Sequence, residues 1–296
     1  MFVLAHLTDP HLAPLPRPRV AELAGKRVLG FINWQRNRRH IHRAEVLAAI
    51  VGDLKAAAPD HIAVTGDLVN IALAAEFSQA AQWLSQLGPA HDVTCVPGNH
   101  DAYVRAAETE AARHWTAYMR GDELRAERFP FVRRRGPVAL IGLSSATATR
   151  PFMATGTIGS AQLARLAPLL DHLGKAGLFR VVLVHHPPLS VTGAHHKRLI
   201  DAAALRQVLQ QHGAELALHG HDHIHALVRL DGPSGTIPAI GVPSASAARD
   251  GDGDPAAYNL YRIDGTPGAW RCEAISRGLD VEALRIVELR RQALIA

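Results

Sequence analysis

The amino-acid sequence predicts an α/β fold: a buried, largely parallel or mixed sheet with helices outside it, and a second sheet packed on the first. Two observations carry this. Up to residue 212, apolar runs of strand length alternate with amphipathic runs of helix length, the βαβ rhythm of a covered sheet. After Glu215, short strands follow one another across turns such as Asp231-Gly232 and Asp264-Gly265, which predicts antiparallel pairs.

Taken in order, Phe2 to Leu7 reads as a strand and His40 to Ala57 as a helix. His61 to Thr65 is a strand, Leu73 to Leu87 a helix, Val93 to Val96 a strand and Arg105 to Met119 a helix. Val138 to Leu143 reads as a strand, Ser160 to Leu173 as a helix, Arg180 to Val184 as a strand and Asp201 to His212 as a helix. Strands at 215–218, 224–230, 236–241, 257–263 and 269–275 follow. A helix over about 280–294 closes the chain, with Asp280 as its N-cap. Two segments stand out by composition: 14–43, rich in Pro and Arg, and 244–255, rich in Ala, Gly and Asp. Both are read as loops or insertions within a single domain spanning 1–296.

The 296 residues suit one large α/β domain or two small ones, and a 48% hydrophobic fraction supplies a core. No apolar run reaches the roughly 18 residues of a membrane-spanning helix. The apolar start lacks a basic flank and a small-residue cleavage site, so it reads as a strand and not a signal peptide. Cys95 and Cys272 have no metal-type spacing and read as reduced thiols of a cytoplasmic protein. A formal charge of +5 favours anionic partners without choosing among phosphate compounds, nucleic acid and acidic lipid. The 18 histidines are more telling, because four of them fall between His219 and His225.

Nearly every chemical motif sits where a predicted strand ends, the edge that lines the ligand crevice in α/β sheets. Asp9-Pro10-His11 places a carboxylate and an imidazole two residues apart, on one side of an extended backbone. Gly66-Asp67 lets the chain turn and present a carboxylate. Gly98-Asn99-His100-Asp101 offers a neutral oxygen ligand, a candidate acid or base, and a carboxylate to orient it. His185-His186-Pro187-Pro188 ends a strand; adjacent residues face opposite ways there, so one histidine reaches a cation directly. Gly220-His221-Asp222-His223 sets two imidazoles at i, i+2 with neutral nitrogen ligands. His219 and His225 share that alternation and read as packed or outer groups.

In this order and as a set, the five motifs resemble those of the calcineurin-like metallophosphoesterases, over about residues 1–225. The chain looks most like the bacterial branch named for class III cyclic-nucleotide phosphodiesterases. The resemblance implies a four-layer α-β-β-α sandwich with two mixed sheets, and two divalent metal ions. Carried over by position, Asp9, His11, Asp67 and His223 would hold one ion. Asp67, Asn99, His185 and His221 would hold the other, with Asp67 as the bridge. The mixture of carboxylates, imidazoles and one amide suits Mn, Fe or Zn better than Ca. Two such ions about 3.5–4 Å apart activate a shared water, whose bridging hydroxide would attack phosphorus. His100 is the candidate to stabilise or protonate the leaving oxygen, oriented by Asp101.

This chain departs from the pattern in the Arg-rich segment after His11 and in the stretch after His186. Arg38, Arg39, His186, His195 and His196 are therefore the candidate substrate contacts. The expected substrate is a small phosphorylated molecule, with a phosphodiester such as a cyclic nucleotide first. The alternative is a lipid-linked or nucleotide-sugar pyrophosphate, hydrolysed by a cytoplasmic protein lying against an anionic membrane surface. A nuclease is disfavoured because no separate nucleic-acid module is recognisable. A catalytically dead scaffold is disfavoured because no ligand is missing. Homo-oligomerisation is left open.

Overall fold

The computed structural model describes residues 1–23, 25–123, 128–248 and 253–296. In chain order, β1 is Phe2–Leu7, α1 Lys26–Asn33, α2 Arg39–Ile41, α3 Ala44–Ala56, β2 His61–Val64, α4 Ala74–Leu87 and β3 Val93–Cys95. Next come α5 Ala107–Trp115, β4 Phe131–Arg135, β5 Val138–Gly142, α6 Ser160–Lys175, β6 Phe179–Leu183 and α7 Ala202–His212. The remainder is all strand: β7 Leu216–His219, β8 Ala226–Gly232, β9 Gly235–Gly241, β10 Ala257–Thr266, β11 Ala269–Asp280 and β12 Arg285–Ile295.

These strands form two mixed six-stranded sheets, ordered β12-β11-β10-β1-β2-β3 and β4-β5-β6-β7-β9-β8. Alternation along the central strands decides which layer each side chain joins. In β6, Phe179, Val181 and Leu183 point into the core between the sheets, while Val182 packs with Leu166, Leu170, Leu205 and Leu209 of α6 and α7. In β5, Val138 and Leu140 face inward, and Ala139 and Ile141 face those helices. On the first sheet, Leu47, Ile50 and Leu54 of α3 and Phe77 and Leu84 of α4 are fully or almost fully buried. The result is the four-layer α-β-β-α arrangement with mixed sheets.

The structure departs from the sequence pattern in four places. The strands after Glu215 do not make a second sheet of their own. β7 pairs parallel with β9 beside β6, whereas β10 crosses back to pair antiparallel with β1. The segment 280–294 is not a helix but the edge strand β12, paired along β11. Asp280 still caps backbone groups: its Oδ1 accepts from the amides of Glu282 and Ala283, both at 3.0 Å, and so shapes a hairpin turn. β4 was missed altogether; it pairs antiparallel with β5.

The segment 14–43 is largely helical, not a loop. Trp34 opens a π-helical turn over Trp34–Arg38 and is only 4% exposed. α1 packs closely enough on the body that a Cβ on Gly30 would lie 2.6 Å from Tyr103 Oη. Arg27 fastens the helix by donating to the carbonyls of Ile71 and Ala72. In the segment 244–255, residues 244–248 run beside β1 through a Thr8–Ser244 bridge, and 249–252 lie outside the described residues.

Candidate metal centre

The carboxyl ends of β1, β2 and β3 in one sheet and of β6 and β7 in the other converge on one crevice. Asp9, His11, Asp67, Asn99, His185 and His221 are buried there, and His223 is partly buried. Their backbones are unusual. Nine non-glycine residues among those described have positive φ, and five are Asp9, His11, Asp67, His221 and His223. Such conformations are disfavoured for residues with a Cβ and collect where a site dictates side-chain direction. The turns are as tight as the glycines suggested: a Cβ on Gly98 would collide with Asp67 Oδ1.

Asp67 stands at the centre. Its Oδ2 lies 3.8 Å from His11 Nε2 and 3.4 Å from His185 Nε2, so one carboxylate oxygen reaches imidazoles on both sides. Asp9 Oδ1 lies 3.7 Å from His11 Nε2 and 3.0 Å from His223 Nε2. Its Oδ2 accepts from Thr8 Oγ1 and from the His221 amide. On the far side, His185 Nε2 is 3.1 Å from Asn99 Oδ1 and 3.2 Å from His221 Nδ1. The ligand atoms of Asp9, Asp67 and His185 fall within 4.8 Å of one another, as do those of His11, Asp67 and His100.

The hydrogen-bond partners show that this set suits cations. A carbonyl only accepts, so His185 Nδ1 donates to Thr65 O at 2.7 Å and His221 Nε2 donates to Lys197 O at 2.8 Å. The two remaining nitrogens, His185 Nε2 and His221 Nδ1, then point lone pairs at each other. Only a proton or a metal ion between them relieves that clash. Burial disfavours a charged His185, but the neighbouring Asp67 carboxylate outweighs it and holds the ring at about 10. Burial, with imidazole and arginine neighbours, drives His11 and His221 well below the ordinary range, so both are neutral ligands. Asp9 and Asp67 stay ionised: burial opposes this, but His223 and His185, respectively, hold their carboxyls down. The donors present therefore fit two divalent cations sharing Asp67.

His100 and Asp101 are not partners. Both Asp101 oxygens are taken by the backbone amides of Asp67, Leu68, Val69 and Gly98, at 2.8–3.2 Å. Asp101 shapes the turn carrying Asp67 and does not orient His100. The Asn70 carbonyl takes that role, accepting from His100 Nδ1 at 2.5 Å. Asp101 was misread because residues adjacent in a turn need not face each other.

The candidate substrate contacts separate cleanly. Arg38 enters the crevice, its Nη1 2.9 Å from His100 Nε2 and its Nη2 2.8 Å from His11 Nε2. Arg39, one helical step on, is exposed and engages His40 Nε2 and Gln35 Oε1. His195 and His196 are exposed; their loop contributes the Lys197 carbonyl to His221 instead. His186 is buried with both nitrogens occupied, Nδ1 by Ser145 Oγ at 2.8 Å and Nε2 by the Ala154 carbonyl at 3.1 Å. It packs behind His221 and has nothing to offer a substrate. His185→Ala is expected to lose bound metal, whereas His186→Ala keeps it and loses thermal stability; metal analysis with melting curves checks both. Equal metal loss would contradict the assignment.

His219 is buried beside Gly241 and His225 is exposed. Three groups at the crevice carry no sequence signal: the Asn70 carbonyl, Ser244 Oγ, which donates to the Asp9 carbonyl at 2.6 Å, and His42. Cys95 and Cys272 are buried free thiols.

Similarity to known proteins agrees with this geometry. The chain is 26% identical over 230 residues to a probable cyclic nucleotide phosphodiesterase of Synechococcus sp., covering 76% of this chain and 80% of that protein. Among solved structures, a dimetal phosphatase from Danio rerio superposes with a TM-score of 0.64 at 14% identity, covering 97% of this chain and 98% of that one. A purple acid phosphatase from yellow lupin superposes at 0.60 with 11% identity, covering 97% of this chain and 52% of that one. At such identities the structural likeness speaks for the fold alone. Residues 2–225, which carry all five motifs, match the calcineurin-like phosphoesterase family. The chain belongs to that family of dinuclear-metal enzymes and is a metal-dependent phosphoric ester hydrolase.

Proposed function

We propose that the protein hydrolyses small phosphodiesters, cyclic nucleotides first among them, at a dinuclear centre bridged by Asp67. The observation that carries the reading is the position of Asp67 between two imidazole-bearing halves, with Arg38 and His100 on one rim. The activity named for the Synechococcus relative supports the substrate class. Bound cations would supply Lewis-acid charge and a water of lowered pKa for in-line displacement at phosphorus. Asp9, His11, Asp67 and His223 would hold one cation, and Asp67, Asn99, His185 and His221 the other. Arg38 offers a planar fork for phosphoryl oxygens. Its Nη2 now donates to His11 Nε2, the nitrogen that would coordinate metal, so these two uses of one lone pair are alternatives. A cation held by His11 would therefore leave Arg38 Nη2 available to an anionic substrate.

A second reading, a lipid-linked or nucleotide-sugar pyrophosphate at a membrane surface, is favoured by one observation. Val28, Leu29 and Ile32 of α1 are 40–42% exposed, Val20 is 90% and Phe152 82%, and the exposed Arg36 and Arg39 follow α1. Aliphatic and aromatic groups beside arginines suit an anionic headgroup boundary. No helix among the described residues is long and apolar enough to cross a membrane.

Metal-loaded protein assayed on bis-p-nitrophenyl phosphate, cyclic nucleotides, nucleotide sugars and lipid pyrophosphates, with and without anionic liposomes, separates the readings. Turnover of cyclic nucleotides unaffected by liposomes is expected. Turnover confined to lipid pyrophosphates and raised by liposomes would favour the second. Arg38→Ala is expected to raise KM by about 10-fold or more, the scale of a lost charge-assisted hydrogen bond. Arg39→Ala should leave kinetics unchanged; equal effects would contradict the placement of Arg38.

A further inference from the structure

We propose that His42 is an additional metal ligand, delivered to the cation of Asp9, His11, Asp67 and His223 by the segment that precedes α3. The inference rests on the two-cation reading above and adds a donor outside the five motifs.

His42 is 2% exposed. Its ring centroid lies 4.4 Å from that of His11 and 5.8 Å from that of His223. The ligating atoms of these three imidazoles all fall within 4.8 Å of one another, so one ion can meet all three. His42 Nδ1 is bonded to Ser246 Oγ at 2.9 Å, which leaves Nε2 as the ring's ligating atom. The same division of labour holds at the other buried imidazoles of the centre. His11 gives Nδ1 to Val69 O, His185 gives Nδ1 to Thr65 O, and His221 gives Nε2 to Lys197 O. At those three a carbonyl, which only accepts, sets the tautomer. The Ser246 hydroxyl can donate or accept, so at His42 it holds the ring in place, and Nε2 is the ligand in the tautomer whose Nδ1–H donates to Ser246 Oγ.

The backbone fixes His42 from both sides. Its amide donates to Arg38 O at 2.8 Å, and it bridges to Ala247. Arg43 N donates to Ser246 O at 2.9 Å, and Ala248 N to Ile41 O at 2.8 Å. The 244–248 segment is itself tied to the end of β1, where Ala245 N donates to Thr8 O at 2.9 Å. The strand end that presents Asp9 and the helical segment that presents Arg38 thus position His42 together. Three imidazoles with two carboxylates make this half of the centre richer in nitrogen than the other. That donor set favours zinc or iron over magnesium.

A crystal structure of the wild-type protein loaded with zinc tests the inference without any substitution. His42 Nε2 is expected at about 2.0–2.1 Å from the ion that His11 and His223 hold. An ion bound by His11 and His223 with His42 Nε2 beyond about 3 Å, outside coordination range, would overturn the inference. Metal analysis after dialysis gives a second measurement. His42→Ala should lose one ion of the pair, with affinity at that position down by about 10-fold or more, while the other ion stays. Two ions retained at wild-type affinity would overturn it. Failure of wild-type protein to bind a pair of ions would instead overturn the two-cation reading, and the His42 assignment with it.

Discussion

Asp67→Asn is expected to abolish most phosphoesterase activity and to leave the protein short of metal. One Asp67 oxygen lies between His11 and His185, at 3.8 and 3.4 Å. Asparagine preserves the shape and one oxygen but removes the negative charge, leaving two dications to repel each other without a shared anion. It also removes the carboxylate that keeps His185 charged in the cation-free protein, which returns the lone pairs of His185 and His221 to conflict. Outer groups that merely orient ligands cost about 10–100-fold in metal affinity when removed, so a bridging ligand should cost more. Metal content and turnover on a chromogenic diester check this together. A variant that purified with two ions and near-normal turnover would refute the bridge.

His100→Ala is expected to lower kcat by about 10²–10⁴-fold, the usual range for a lost acid–base group, with bound metal retained. Metal should stay because the His100 backbone amide, not its ring, supports Asp67, donating to Oδ1 at 2.7 Å. The Asn70 carbonyl fixes Nδ1–H, and Arg38 approaches Nε2, so the ring stays neutral. Burial, then the Arg38 charge, lowers its pKa to about 3, and bound cations would push the same way. The neutral form thus persists at every pH above about 3. A neutral ring with Nδ1–H held by Asn70 has a lone pair and no proton at Nε2, so His100 would act there as a proton acceptor and not as the acid for the leaving oxygen. Activity should show no acid limb near 6.5 from this residue, and a pH–rate profile of wild type against His100→Gln checks that. Unchanged kcat in His100→Ala would remove His100 from the reaction.

The site was far more legible in the sequence than the topology. Asp9-x-His11, Gly66-Asp67, Gly98-Asn99-His100, His185 and Gly220-His221-x-His223 each end a strand, and strand ends of one sheet pair meet in one crevice. Their spacing encodes local geometry, and the fold does the rest. Asp101 and His186 carried the same local signal but turned elsewhere, one to four amides and the other to Ser145 and Ala154. Only tertiary neighbours decide that.

What was lost follows the same logic. The amphipathic 280–294 pattern fits a helix, yet the segment pairs antiparallel along β11, a contact set by the hairpin at Asp280 and not by the local pattern. Arg291 reaches Glu273 at 3.2 Å across that pairing. Asp280 read as an N-cap because helix starts and hairpin turns ask the same hydrogen bonds of an aspartate. The Arg-rich segment looked like a loop because nothing local reveals that Trp34 will be buried or that Arg38 and His42 will face the metal centre. Pairing of β10 with β1 is likewise a contact between the two ends of the chain, with no local trace.

Anomalous diffraction from crystals of the metal-loaded wild-type protein tests the central claim most directly. Two peaks about 3.5–4 Å apart are predicted, both within bonding distance of Asp67, with Asp9, His11 and His223 on one and Asn99, His185 and His221 on the other. A single ion, or two ions that do not share Asp67, would contradict the account.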